Sequence, residues 1–141
     1  MDAQATAEKV RDAMLADDAA SKMLGMQITE VAPGRAVVTM TVRADMLNGF
    51  ALCHGGLIAT LADSAFAFAC NSRNALTVAS GFGIDILKSA RLGDLLTATA
   101  EETSLAGRTG LYDVTVKNQH GDLIAMFRGR SYRLAERKVF E

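Results

Sequence analysis

The sixteen residues from Gly56 to Asn71, GLIATLADSAFAFACN, constrain the fold more than any other part of the chain. Their length and alanine content predict a helix of about four turns. Leu57, Ile58, Leu61, Ala62, Ala65, Phe66, Phe68 and Ala69 cover most of its circumference. A helix apolar on nearly every side has to be wrapped by other structure, so this one is expected at the centre of the molecule. The weakly charged run from Met46 to Asn71 is interrupted by Asn48, His54, Asp63 and several glycines, which makes it a poor membrane span.

The remaining segments supply the wrapping. Residues Ala3 to Ala16 place Ala7, Val10, Met14 and Leu15 on one side of an N-terminal helix. From Met26 the pattern MQITEVAPGRAVVTMTV reads as two strands joined at Pro33-Gly34, a pair suited to a turn. Four further strand-like runs follow, Thr77 to Leu87, Leu95 to Ser104, Gly110 to Asn118 and Leu123 to Leu134, separated by polar turn segments. The spacings of these four segments predict an antiparallel meander, within a sheet of five or six strands in all. The fold class is α+β, with a curved sheet around the long helix, and residues 1–141 are expected to form a single domain.

Composition narrows the function. With 15 basic and 16 acidic residues the formal charge is -1, which argues against the broad electropositive surface of a nucleic-acid binder. Cys53 and Cys70 sit in apolar surroundings without CxxC spacing, so neither a disulfide framework nor a zinc site is expected. The start of the chain alternates acids and bases and lacks the pattern of a secretion signal. A cytoplasmic protein is expected.

The chemistry concentrates between Asn48 and Ser64. Gly55 and Gly56 open the helix, where the first N–H groups lack intrahelical partners and lie at the positive end of the helix dipole. Such amides can hold an oxyanion, although a glycine pair also serves simply to turn the chain. Asp63 is the only charged residue between Asp45 and Arg73 and lies two turns inside an apolar helix. A buried carboxylate needs hydrogen bonds, a partner or a functional cavity. It is either satisfied locally, for example by Ser64, or poised as a nucleophile or general base. Eight helical positions separate Gly55 from Asp63 by about 12 Å, too far for both to touch one carbonyl group. If both serve one site, they come from different subunits of a dimer with paired composite sites.

These residues carry a family resemblance. MLNG, CHGG and LADSAFAFACNS, continuing through VASGFGIDILKSARLGDLLTATA to FRGRSYRL, resemble the phenylacetate-degradation branch of the hot-dog-fold acyl-CoA thioesterases, over about Asp17 to Leu134. The resemblance implies that Asp63 is the catalytic carboxylate and that the Gly55 N–H of the opposing subunit polarises the thioester carbonyl. It assigns Asn48 to holding water or the carboxylate, His54 to orienting the HGG turn, and Ser64 to assisting Asp63. Ser80 falls where some relatives place a serine that positions the attacking water, Gly56 is placed at the substrate, and Gly81 and Gly83 either allow close approach of substrate to the strand or simply mark a bulge. The implied reaction is hydrolysis of phenylacetyl-CoA or hydroxyphenylacetyl-CoA thioesters during aromatic catabolism. Coenzyme A is then part of the substrate and no separate cofactor or metal is required. A dimer of dimers is the implied assembly.

Other residues read more plainly. Cys53 beside His54 lacks the orienting third group of a nucleophilic pair, and His120 sits in a polar turn. Lys88 and Arg91 are candidates for the coenzyme A phosphates, as are Arg128 and Arg130, although basic residues on exposed strands are commonly just solvated. Two alternatives remain open: a hot-dog hydratase or dehydratase acting on enoyl thioesters, and a non-catalytic acyl-CoA binding protein.

Overall fold

The computed structural model describes residues 1–141. The chain begins with helix α1, Ala3–Asp17, and the carboxylate of Asp2 starts it by accepting the Ala5 N–H at 2.7 Å. Ala7 and Val10 are its buried positions. A short helix α2, Ala19–Met23, follows directly, with Asp18 as its N-cap. The chain then forms β1, Gln27–Ala32, and β2, Arg35–Thr41. Between them Gly34 adopts φ +74° after Pro33, the residue order and backbone sign of a type II turn. A 3-10 turn at Ala44–Met46 and a looped stretch lead to the central helix α3, Gly55–Cys70. The last four strands are β3, Thr77–Ile86; β4, Leu95–Ala106; β5, Thr109–Lys117; and β6, Leu123–Arg133.

All six strands form one antiparallel sheet, but the spatial order is β1-β2-β4-β5-β6-β3. Only β4, β5 and β6 form the expected meander. The difference comes from α3, which is about 24 Å long and carries the chain across the face of the sheet. The strand that follows therefore begins at the far edge and pairs with β6, which leaves β2 to pair with β4.

The sheet curves around α3 and buries Ile58, Leu61, Ala62, Ala65, Phe66, Phe68 and Ala69. Opposite them lie Val38, Met40, Leu96, Ala98, Ala100, Tyr112, Val114, Val116 and Phe127, all in the same core. Each large side chain removed from water contributes about 1.5–3 kcal/mol. Close approach needs small residues, and Gly129 is one. A Cβ there would lie 2.9 Å from three atoms of the Phe66 ring.

Polar side chains fix the ends of α3. Asn71 donates to the carbonyls of Ala67 and Thr77 and accepts the Thr77 N–H at 2.8 Å, which ties the helix C-terminus to the start of β3. The Ser72 hydroxyl donates to the Ala69 carbonyl and accepts the Gly34 N–H, holding the β1-β2 turn against the helix.

The wrapping is incomplete. Gly56, Ala59, Thr60, Asp63 and Ala67 form a stripe on α3 that none of the chain's other elements buries. Beside it runs edge strand β3, where Val78, Phe82 and Ile86 remain 44%, 49% and 46% exposed. No helix is long and apolar enough to cross a membrane.

Candidate active site

The N-terminal end of α3 is built by the loop before it. The Asn48 carbonyl oxygen of the side chain accepts the N–H groups of Phe50 and Leu52 at 2.9 and 3.2 Å, and Ala51 takes a positive φ of 59° inside this loop. Cys53 N–H bonds the Ala90 carbonyl and His54 N–H bonds the Met46 carbonyl. Asn48 thus spends its side-chain oxygen on shaping the loop, and its Nδ2 is the group left to donate elsewhere.

His54 is the N-cap of α3, and its Nδ1 accepts the Gly56 N–H at 3.3 Å. That geometry requires Nδ1 to be unprotonated. The two glycines are thereby distinguished: Gly56 has given its N–H to His54, whereas the Gly55 N–H has no acceptor within the chain. Gly55 is the free donor at the positive end of the helix. Its lack of a side chain also leaves room for Ile86, whose Cδ1 would lie 2.9 Å from an added Cβ.

Asp63 sits two turns farther along the same helix, on the uncovered stripe. It lines a cleft of about 330 Å³ together with Phe66, Ala67, Val78, Ala79 and Met14, a largely apolar wall. Val139 closes part of the cleft, held in place by Asn74, whose side chain accepts the N–H groups of Val139 and Phe140. Burial pushes the Asp63 carboxyl above the ordinary carboxylate value, and the negative charge of Asp18 adds to the effect. No ion pair neutralises it.

Ser64, next on the helix, is hydrogen-bonded to the Ser21 hydroxyl at 3.0 Å, and Ser21 in turn donates to the Asp18 carboxylate at 2.7 Å. Asp18 and Ser21 were not among the residues expected from sequence. Asp18 is a residue type favoured at a helix N-cap, but nothing local indicates that Ser21 meets Ser64.

Ser80 occupies a bulge in β3, between Ala79 and Gly81, and its hydroxyl donates to the Arg130 carbonyl at 3.2 Å. A Cβ on Gly81 would come within 2.9 Å of the Arg130 guanidinium. Lys88 forms an ion pair with Asp122 at 2.8 Å, and Arg128 pairs with Asp113. Arg91 uses its backbone N–H on Asp94 and its guanidinium makes no ion pair. The Cys53–Ala90 hydrogen bond brings the segment bearing Lys88 and Arg91 to the Gly55 end of α3. Cys53 is buried, and no three His, Cys, Asp or Glu side chains gather into a metal-binding group.

Within one chain the candidate residues therefore form two groups. Asn48, His54, Gly55, Gly56, Lys88 and Arg91 belong to the start of α3, whereas Asp63 and Ser64 lie about 12 Å along the axis. The free amide and the carboxylate do not meet.

Comparison with known proteins agrees with this architecture. The model of the thioesterase superfamily matches residues 50–125, a span that includes Gly55, Asp63 and β3. The acyl-coenzyme A thioesterase PaaI of Escherichia coli (strain K12) is 49% identical over 122 residues, covering 86% of this chain and 87% of that protein. The structure of the E. coli PaaI protein from the phenylacetic acid degradation operon superimposes with a TM-score of 0.93 at 46% identity, covering 95% of this chain and 97% of that one. A hypothetical thioesterase protein from Streptococcus pneumoniae TIGR4, solved with coenzyme A, aligns with a TM-score of 0.81 at 26% identity over 92% of this chain and 99% of its own. By its matched sequence and by a central helix wrapped in a six-stranded antiparallel sheet, the chain belongs to the thioesterase superfamily and has the hot-dog fold.

Proposed function

We propose that the protein hydrolyses acyl-CoA thioesters to the free acid and coenzyme A, and that its acyl groups are arylacetyl, of the phenylacetyl or hydroxyphenylacetyl kind. The observation that carries this reading is Asp63: a lone carboxylate with a raised pKa, unpaired, on the uncovered face of an apolar helix and beside an apolar cleft. A carboxyl group tuned upward in this way is suited to general-base work near neutral pH. The relationship to the E. coli thioesterase supports the reaction and the arylacetyl substrate, and the coenzyme A complex of the pneumococcal relative supports the thioester carrier.

The site is completed by a second copy. With two α3 helices side by side and antiparallel, the Gly55 N–H of one subunit faces the Asp63 carboxylate of the other. The half-buried stripe on α3 and the apolar edge of β3 favour this arrangement, because both present surface that an isolated chain leaves partly in water. A dimer of dimers in the cytoplasm belongs to the same reading, and the free thiols of Cys53 and Cys70 suit a reducing compartment.

Charge develops on the thioester oxygen as the carbonyl carbon is attacked, and the Gly55 amide stabilises it there. On the general-base route Asp63 takes a proton from water, the hydroxyl adds to the carbonyl, and collapse of the tetrahedral species expels the coenzyme A thiolate, which is then protonated. On the nucleophilic route the carboxylate adds directly, the thiolate leaves, and water cleaves the resulting anhydride. Both routes consume one water and require no cofactor beyond the coenzyme A of the substrate. Asn48 Nδ2 and Ser80 are assigned to water or carboxylate placement, Gly56 and Gly81 to close substrate approach, and Arg91, with Lys88 beside it, to the phosphates.

The test is thiol release from a panel of aromatic and straight-chain acyl-CoAs by the wild type beside Asp63→Asn and Asp63→Ala. Release that favours arylacetyl members and collapses in both variants is the expected result. Binding of the panel without thiol release by the wild type would refute hydrolysis and leave a binding protein.

A further inference from the structure

The contact between Ser64 and Ser21 contains more information than a packing detail, because the donors in it can be assigned. Ser21 is 1% exposed, and its side chain has two partners. One is the Asp18 carboxylate, an acceptor that offers no proton. Asp18 receives both the Ser21 N–H at 3.0 Å and the Ser21 O–H at 2.7 Å. A hydroxyl has one proton, and that of Ser21 is committed to Asp18. In the 3.0 Å contact with Ser64, Ser21 must therefore accept and Ser64 must donate.

The consequence falls on the residue beside Asp63. A serine inside a helix commonly turns its hydroxyl back to the carbonyl of the preceding turn, as Thr60 does toward Gly56 at 2.8 Å. Ser64 does not. Its proton points away toward Ser21, and its oxygen makes no other hydrogen bond within the chain. What Ser64 offers its surroundings is an acceptor only. It cannot donate a hydrogen bond to the Asp63 carboxylate.

We propose that Asp18 and Ser21 are positioning residues that set the proton direction of Ser64, so that Ser64 accepts a hydrogen bond from the water consumed in hydrolysis and orients it for attack. This rests on the thioesterase reading above. It also gives the junction of α1 and α2 a function: Asp18 caps the short helix, holds the buried serine and so links the N-terminal segment to the site.

Asp18→Asn tests the direction without removing the cap, since asparagine is an equally good N-cap. Its side-chain oxygen still accepts the Ser21 N–H, but its amide now donates to the Ser21 oxygen. The Ser21 proton turns to Ser64, and the Ser64 proton turns outward. Thiol release would be measured for the wild type, Asp18→Asn, Ser21→Ala, Ser64→Ala and the double variant Asp18→Asn/Ser64→Ala, with thermal melting of each. The expected result is a fall in kcat of about tenfold for Ser64→Ala and for Asp18→Asn, the rate equivalent of one hydrogen bond, with KM within about twofold. The double variant should be no slower than Ser64→Ala alone. If Ser21→Ala fails to fold, the isosteric Asp18→Asn still decides the question. Folded Asp18→Asn with wild-type kcat, or a double variant whose losses multiply, would overturn the relay while leaving the thioesterase intact. A wild type that releases no thiol would overturn both.

Discussion

The proposed composite site makes a quantitative prediction about mixing two inactive variants. Gly55 is the first residue of α3 and its N–H is free within the chain, so Gly55→Pro deletes the proposed oxyanion donor while placing proline where helices tolerate it. His54, at φ -60° and ψ 129°, already has the extended backbone that a residue before proline requires. The Cβ added there meets the tip of Ile86, a half-exposed and flexible side chain. Gly55→Pro alone should lose about 10²–10³ in kcat, and Asp63→Ala alone should be inactive. In a heterodimer of the two, one site combines the intact Asp63 of one subunit with the intact Gly55 of the other, and the second site lacks both. Random pairing makes about half of the dimers mixed, each with one working site in two, so an equimolar mixture should recover about one quarter of wild-type activity. The assay is thiol release after co-refolding or co-expression with separable tags. Recovery near zero in mixtures shown to contain heterodimers would refute the shared site, since it would mean that Gly55 and Asp63 act within one chain or that one of them does not act.

Three further outcomes are expected. Because Asp63 has a folded pKa above its unfolded value, its ionised form costs stability at pH above the folded pKa, and that cost disappears as pH falls toward the unfolded value. Asp63→Asn should therefore raise Tm at neutral pH, with a gain that shrinks through mildly acidic pH; an unchanged or lowered Tm at neutral pH would contradict the assignment. Gly129→Ala forces a methyl onto the buried Phe66 ring, which is already packed against Tyr112 and Phe127, and should cost about 1–3 kcal/mol in urea unfolding. Burial pushes the Cys70 thiol up to about 12, and burial followed by the Asp94 charge also raises that of Cys53, so neither should react with an aromatic disulfide reagent at pH 8 until the protein is unfolded.

Much of this architecture is readable in the sequence where the signal is local. The length and alanine content of Gly56 to Asn71 predict the central helix, which occurs at Gly55–Cys70, and the strand-like segments fall within one to two residues of the observed strands. The turn at Pro33-Gly34 follows from the backbone preferences of two adjacent residues. The α+β class and the wrapped helix need only that a helix without a polar face be covered. The strand order β1-β2-β4-β5-β6-β3 is not legible in the same way, because alternation along a strand specifies its two faces but not its neighbour in the sheet.

The site divides along the same line. Residue types alone identify a carboxylate in apolar surroundings, glycines at a helix start and a separation along the helix too great for both to touch one carbonyl group. Those conclusions need only the helical rise and the chemistry of side chains. Tertiary structure decided that Gly56 gives its N–H to His54 and leaves Gly55 free, that Lys88 is paired with Asp122, and that β3 lies at an open edge. It also decided that Ser64 meets Ser21, 43 positions away along the chain. Such contacts depend on how distant segments pack, and a linear pattern records only what each residue does to its near neighbours.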